Sequence, residues 1–226
     1  MKKLTKTLLL VLCALLLVAG SVLGTVAYLT SQDQVVNTFT VGKVAIKLDE
    51  APVDANGVAT SEDRVKANEY HLLPGHDYDK DPTVTVLANS EECYVRMLVT
   101  VENMAAMKVA FPKTDADFAD FYGPGDVFLL QNLVTGWDSN AWTYVDCKEA
   151  NGSATYEFRF YTTVAKSASN TVLPALFQNI VVPGEINNAQ LAMLQDATIT
   201  VEAHAIQADG FTTADAAWAA WNPVEN

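Results

Sequence analysis

Cys93-Tyr94-Val95-Arg96-Met97-Leu98-Val99-Thr100-Val101-Glu102 is the stretch that decides the fold. Cys93, Val95, Met97, Val99 and Val101 fall on one face, and Tyr94, Arg96, Leu98, Thr100 and Glu102 on the other. That two-residue period belongs to a strand with one buried side. Moving toward the N-terminus, Asn89-Ser90-Glu91-Glu92 is a turn, and residues 83–87 form another strand with Val84 and Val86 on one face. Residues 71–82 read as a turn-rich connector. Residues 49–69, with Pro52, Asn56-Gly57 and Ser61-Glu62-Asp63, read as a long loop or loose hairpin. Before them Val44, Ile46 and Leu48 point together while Lys43 and Lys47 face out. Phe39 and Val41 alternate with Thr38 and Thr40, so the phase slips at Gly42-Lys43, as a bulge would produce.

Toward the C-terminus, residues 142–148 and 154–163 flank Asn151-Gly152, the strongest short hairpin signal in the chain. Residues 176–182 form a further strand ending at Pro183-Gly184, residues 186–194 a helix, and residues 198–206 a closing strand with Ile199, Val201, Ala203 and Ala205 on one face. Thr212 followed three residues later by Asp215 predicts a capping box on a terminal helix, which Trp218 and Trp221 dock on the body. Residues 104–134 are less regular, with a short helix expected at 115–122 and a short element at 126–133. Short strands separated by turn signals, with helices confined to connections and the C-terminus, define an all-β fold: an antiparallel two-sheet sandwich.

The N-terminus has a separate role. Lys2, Lys3 and Lys6 precede an uncharged apolar run over residues 8–19, and small residues lead to Thr25-Val26-Ala27. This is the layout of a secretory signal, residues 1–27, cleaved between Ala27 and Tyr28. A retained anchor is the alternative, since residues 7–29 meet the length of about 20 needed to cross a bilayer. Contact with a membrane is then expected only through the uncleaved signal. The mature chain, residues 28–226, is a single domain led by an extended segment, residues 28–41.

The chain has 226 residues, 14 basic and 27 acidic, for a net charge of −13. Such a surface repels nucleic acid and anionic lipid. Two cysteines follow the signal, Cys93 and Cys147; they either pair after export or are two small core residues. The three histidines, His71, His76 and His204, do not form a His-Glu-x-x-His motif, and no nucleophile elbow or phosphate loop is present. Asp77-x-Asp79-x-Asp81 begins like a calcium loop, but Pro82 stands where glycine is required and Ala88 where the bidentate glutamate belongs. A looser calcium site on Asp77, Asp79 and Asp81 is the one cofactor expectation; the competing reading is that Lys80 neutralises the three carboxylates. One feature points to a function. A free extended segment in an exported strand-rich domain can add to a neighbour's sheet, donating Tyr28, Leu29, Val35, Val36, Phe39 and Val41. Equally, residues 39–48 are the first strand of the chain's own sheet.

Gly24-Thr25-Val26-Ala27-Tyr28-Leu29-Thr30 followed by Asn37-Thr38-Phe39-Thr40-Val41-Gly42 resembles the SipW-dependent exported proteins of Gram-positive bacteria, the TasA/camelysin group. Pro74-Gly75 to Tyr78, Lys80-Asp81-Pro82-Thr83-Val84, Cys93-Tyr94-Val95-Arg96 and Ala205-Ile206-Gln207-Ala208-Asp209-Gly210-Phe211 with Ala216-Ala217-Trp218 are similar to clostridial members. The resemblance implies a jelly-roll-like sandwich, export through a SipW-type signal peptidase, and secretion to the cell surface or biofilm matrix. It also implies self-association into fibres by N-terminal strand donation, alongside other matrix proteins. Camelysin carries a metallo-endopeptidase label, so that activity is the alternative, and a non-polymerising cell-surface binding module is a third.

Overall fold

The computed structural model describes residues 2–28, 42–61, 63–111, 127–195 and 197–221, which fall in two separate units. The first contains helix α1 (Lys2–Tyr28), which leaves Leu8, Leu10, Leu15 and Leu17 exposed. Among the described residues no helix is long and apolar enough to cross a membrane. The second unit, from Gly42 onward, is mostly β: three antiparallel sheets with a few short helices.

The strand that the alternation marks most strongly is Cys93–Val101 (β4), buried at Cys93, Val95, Met97, Val99 and Val101. It lies between Ile199–Gln207 (β10) and Ser153–Phe160 (β7), and β7 pairs in turn with Trp142–Ala150 (β6), so the sheet order is β10-β4-β7-β6. Asn151 and Gly152 turn β6 into β7 with φ of 53° and 81°, the left-handed pair of a type I′ turn, which lets β6 run to Ala150. A register shift between Tyr144 and Asp146 puts a bulge in β6.

Two smaller sheets make up the rest. Ile46–Asp49 (β1), Thr83–Val86 (β3) and Thr171–Val172 (β8) form one in that order. Asp77–Asp79 (β2), Asn179–Val181 (β9) and Val134–Thr135 (β5) form the other, in the order β2-β9-β5. They are one layer with a break. The N–H groups of Leu173 and Leu176 donate to the carbonyls of Val84 and Pro82 at 2.9 and 3.0 Å, and Lys80 N–H donates to Gln178 O at 2.8 Å. Pro82 and Pro174 have no N–H to give, which interrupts the ladder there. All three sheets share one buried cluster, in which Trp142, Tyr78, Tyr156, Phe111, Phe158 and Phe177 are the largest fully covered side chains.

Several expectations need correction. The connector at 71–82 contains β2, and the strand expected at 176–182 is regular only over Asn179–Val181. Residues 104–110, expected to be irregular, form helix α2 (Met104–Ala110). Its start is fixed by Asn103, with φ 52°, whose Oδ1 accepts from Ala106 N–H, and by Met104 N–H donating to Gly152 O at 2.9 Å. That second bond comes from the hairpin tip and has no local sequence signal. A single π-helical turn, Leu129–Leu133, stands where a short element was expected, while the helix expected at 115–122 lies outside the described residues. The helix expected near 186–194 is Asn188–Met193 (α3), with Asn187 and Gln190 forming a capping box. The terminal helix is Ala214–Ala219 (α4), and its cap is Thr213, not Thr212: Thr213 Oγ1 accepts from Ala216 N–H at 3.2 Å.

Candidate functional site

Among the described residues β1 and β10 are each the edge strand of a sheet, and they come together in space without pairing. Strand alternation fixes which backbone groups are left over. Ala45 O accepts from Leu87 N–H, so on β1 the odd-numbered residues bond to β3 and Ile46, Leu48 and Glu50 face away. Glu50 exchanges both bonds with Val65, and Leu48 O receives Lys66 Nζ. On β10, Glu102 N–H donates to Thr198 O and Ala208 N–H to Glu92 O, so the even-numbered residues bond to β4. Ile199, Val201, Ala203 and Ala205 therefore turn their N–H and C=O groups outward.

The side chains along this seam tell the same story. Every core-facing residue of β4 is buried, whereas Ile199, Val201, Ala203 and Ala205 on β10 are only half-buried, as are Val44, Ile46 and Leu48 on and before β1. A cleft of about 460 Å³ opens here, lined by Leu48, Asn68, Lys80, Pro82, Ile199 and Val201. A second hollow of about 740 Å³ shares Asn68, Lys80 and Ile199 and runs on between Tyr70, α2 and α3.

One end of the seam is strongly polar. Lys80 and Glu50 are both buried, with Nζ to Oε2 at 2.5 Å. Asn68 Nδ2 donates to Glu50 Oε1 at 3.0 Å and to Ala51 O at 2.8 Å, and its Oδ1 accepts from Val53 N–H at 3.1 Å. The Tyr70 ring stands 5.8 Å from Lys80 Nζ, and burial together with the nearby Glu50 charge pushes the Tyr70 phenol well above its usual pKa. Beside this, Arg64 clamps Asp49 (2.6 Å) and Asp81 (2.7 Å) and also donates to both of their carbonyls. The Asp49 carboxyl pKa lies below the ordinary value: burial opposes this, but hydrogen bonds and charge from Lys47 and Arg64 outweigh it.

Two aspartates of the expected calcium site, Asp79 and Asp81, are engaged by the chain itself. Asp79 accepts from Ala59 N–H at 2.7 Å and Asn179 Nδ2 at 2.8 Å, and Asp81 accepts from Ala51 N–H and Arg64. Asp77 is exposed, and among the described residues no three His, Cys, Asp or Glu side chains gather as a metal set. Of the two alternatives for Cys93 and Cys147, the register rules out the disulfide. Cys147 faces Tyr156, which faces Val99, six residues along β4 from Cys93. At about 3.3 Å per residue that offset is about 20 Å, beyond any bridge. Neither cysteine is in a disulfide. Burial and then the Glu92 charge push the Cys93 thiol up to about 11.

Of the expected donor strand, Leu29, Val35, Val36, Phe39 and Val41 lie outside the described residues, and Ala27 and Tyr28 are the last residues of α1. Neither the Lys80–Glu50–Asn68 cluster nor a second one on the outer face of the four-stranded sheet was legible beforehand. There Arg96 lies over the Trp218 ring at 4.4 Å and donates from Nε to His204 Nδ1 at 3.2 Å, and His204 stacks on Trp221 at 4.8 Å. The Trp218–Trp221 spacing was the one signal for it. Burial and then the Arg96 charge hold the His204 imidazole below its usual pKa. Compared with known proteins, the chain matches no family model, no curated protein and no solved structure.

Proposed function

We propose that this is an exported structural protein of the cell surface or biofilm matrix. In this reading it polymerises when residues 28–41 of one copy add as a strand to the β1/β10 seam of the next. The observation that carries the reading is the seam itself: two edge strands side by side, outward-facing backbone groups on β10, and half-buried apolar residues on both. Strand addition supplies partners for such groups and covers such side chains. The sequence supplies a matching donor, since Val35, Phe39 and Val41 share one face of an extended segment. Residues 43–45 already run beside 87–91, with Lys43 O accepting from Glu91 N–H and Ala45 O from Leu87 N–H. The segment ahead of them would have to double back to fill the seam of its own chain, while a neighbour's seam needs no reversal.

The finer architecture belongs to the same proposal: the broken layer of β1, β3, β8, β2, β9 and β5 and the four-stranded sheet are the two halves of a jelly-roll-like sandwich. The resemblance to the TasA/camelysin group supports both the architecture and the matrix role. The test compares mature protein beginning at Tyr28 with a version beginning at Lys43, by sedimentation and electron microscopy across a concentration series. Fibres from the first and monomers from the second are expected; monomers from both would refute the proposal.

A further inference from the structure

The trio at the end of the seam has an arrangement that an ion pair does not require. One carboxylate, Glu50, holds the Lys80 nitrogen on Oε2 at 2.5 Å and the Asn68 amide nitrogen on Oε1 at 3.0 Å. The amide orientation follows from its neighbours: both atoms near Nδ2 are acceptors, Glu50 Oε1 and Ala51 O, while Oδ1 meets the N–H of Val53. Lys80 and Glu50 are buried, and the Tyr70 ring walls the site. Nucleophile, proton carrier, leaving nitrogen and a donor on the carbonyl oxygen are thus held together at the wall of the cleft, with Lys80 and Glu50 buried and Asn68 half-buried.

We propose that Lys80 and Asn68 join spontaneously through an isopeptide bond, with Glu50 carrying the protons. The ammonium proton passes to Glu50 Oε2, which leaves a neutral amine beside a carboxylic acid and removes a buried charge pair. The Lys80 Nζ lone pair attacks Asn68 Cγ, and the Val53 N–H supports the oxygen as negative charge develops on it. Glu50 takes the second proton from Nζ and delivers a proton to Nδ2. The Cγ–Nδ2 bond breaks, ammonia leaves, and a secondary amide remains between the two side chains. One amine and one primary amide become one secondary amide and one ammonia; no oxidant or cofactor takes part. Fixed geometry replaces the collision that makes this reaction slow between free molecules.

The bond would tie the return arm of the 50–65 hairpin to the segment entering β3, directly under the seam. It is independent of whether the seam receives a strand. Trypsin reads the outcome. Without the bond, cleavage after Lys66 and Lys80 releases peptide 67–80, which contains both residues. With the bond, Lys80 is no longer a substrate, and the expected product is peptide 67–96, ending at Arg96, lighter by one ammonia and carrying an internal link in its fragment spectrum. Peptide 67–80 at full mass from folded wild-type protein overturns the proposal. So does an ammonia loss that leaves cleavage after Lys80 intact, because that marks cyclisation of Asn68 alone. Glu50→Gln keeps the shape but removes the proton carrier, and is expected to restore cleavage after Lys80. A linked Glu50→Gln protein would refute the role given to Glu50, and if that variant does not fold, the wild-type digest still decides.

Discussion

Gly57→Ala tests how rigidly the 50–65 hairpin is seated. Gly57 has φ +77°, and a Cβ built there would lie 2.1 Å from Tyr78 Cδ1. The Tyr78 ring has nowhere to go: it is 1% exposed, and its hydroxyl accepts from Leu73 N–H at 2.6 Å and donates to His71 O at 2.8 Å. Left-handed backbone at an L-residue costs about 1 kcal/mol. Overpacking against a fixed ring adds about 1–3 kcal/mol. Loosening the two hydroxyl bonds adds up to about 1 kcal/mol each. A total of about 2–6 kcal/mol follows from these three contributions.

Gly152→Ala is the matched control, because Gly152 has φ +81° with nothing within 4 Å of its added Cβ. Only the backbone cost of about 1 kcal/mol applies there. Urea unfolding of the two variants in one background should separate their midpoints by the equivalent of about 1–5 kcal/mol at unchanged slope. Replacing Tyr78 by Ala in both should bring them together, since the coupled contribution is then absent. Equal loss in the two single variants would refute the claim that Tyr78 is held in place.

In an Asn68→Ala background, where no link can form and the Lys80–Glu50 pair stays ionic, Lys80→Met should cost about 3–5 kcal/mol, and the double change Lys80→Met/Glu50→Leu distinctly less, as calorimetry would show. Arg96→Lys keeps the charge but loses the planar stack on Trp218, so the tryptophan near-UV signal should fall with a loss of about 1–2 kcal/mol. His204 has its folded pKa depressed, so the unfolded chain binds the proton more readily; its contribution to stability is complete above the ordinary value of 6.5 and is lost as pH falls below it. His204→Phe should flatten that part of the stability–pH curve, and an unchanged curve would show that another group causes the slope. A thiol reagent should label Cys147, half-buried on an edge strand, long before Cys93, which is 0% exposed; equal rates would mean that β4 opens readily.

The fold was legible wherever one strand has a wet face and a dry face. β4, β3 and the Asn151-Gly152 hairpin follow from local alternation and turn chemistry, and α3 from its polar cap. The misses share a cause in long-range contact. Residues 104–110 are helix formers behind an Asn103 cap, but seven residues are too short to decide alone and the bond to Gly152 O is long-range, while β2 is a strand because β9 lies beside it. The cap at Thr213 rather than Thr212 is a one-residue choice between equal side chains. The Asp77, Asp79, Asp81 spacing was real, but Ala59, Asn179, Ala51 and Arg64 supply the donors, and all four lie outside the motif. Likewise Glu50, Asn68 and Lys80 span thirty residues of chain that sequence reading assigned to a loop and a connector.

The two ends of the four-stranded sheet are treated differently by the sequence. β6 carries a bulge at Tyr144/Asp146 and then Asp146, Lys148 and Glu149, all exposed, the devices that keep an edge from pairing with another chain. β10 is nine residues long and regular, and bears Glu202 as its one charged side chain aside from His204. Its inward residues are Ile199, Val201, Ala203 and Ala205, small or branched and left half-covered. A chain that defends one edge has the means to defend the other. An undefended edge beside a second one, with half-covered apolar side chains along it, is what strand addition requires on the receiving side. Placing lysine at Val201 and Ala203 should therefore abolish polymerisation of the mature protein while leaving the monomer folded, whereas lysines added to β6 should do neither. Fibres that survive the β10 substitutions would move the docking surface elsewhere on the molecule.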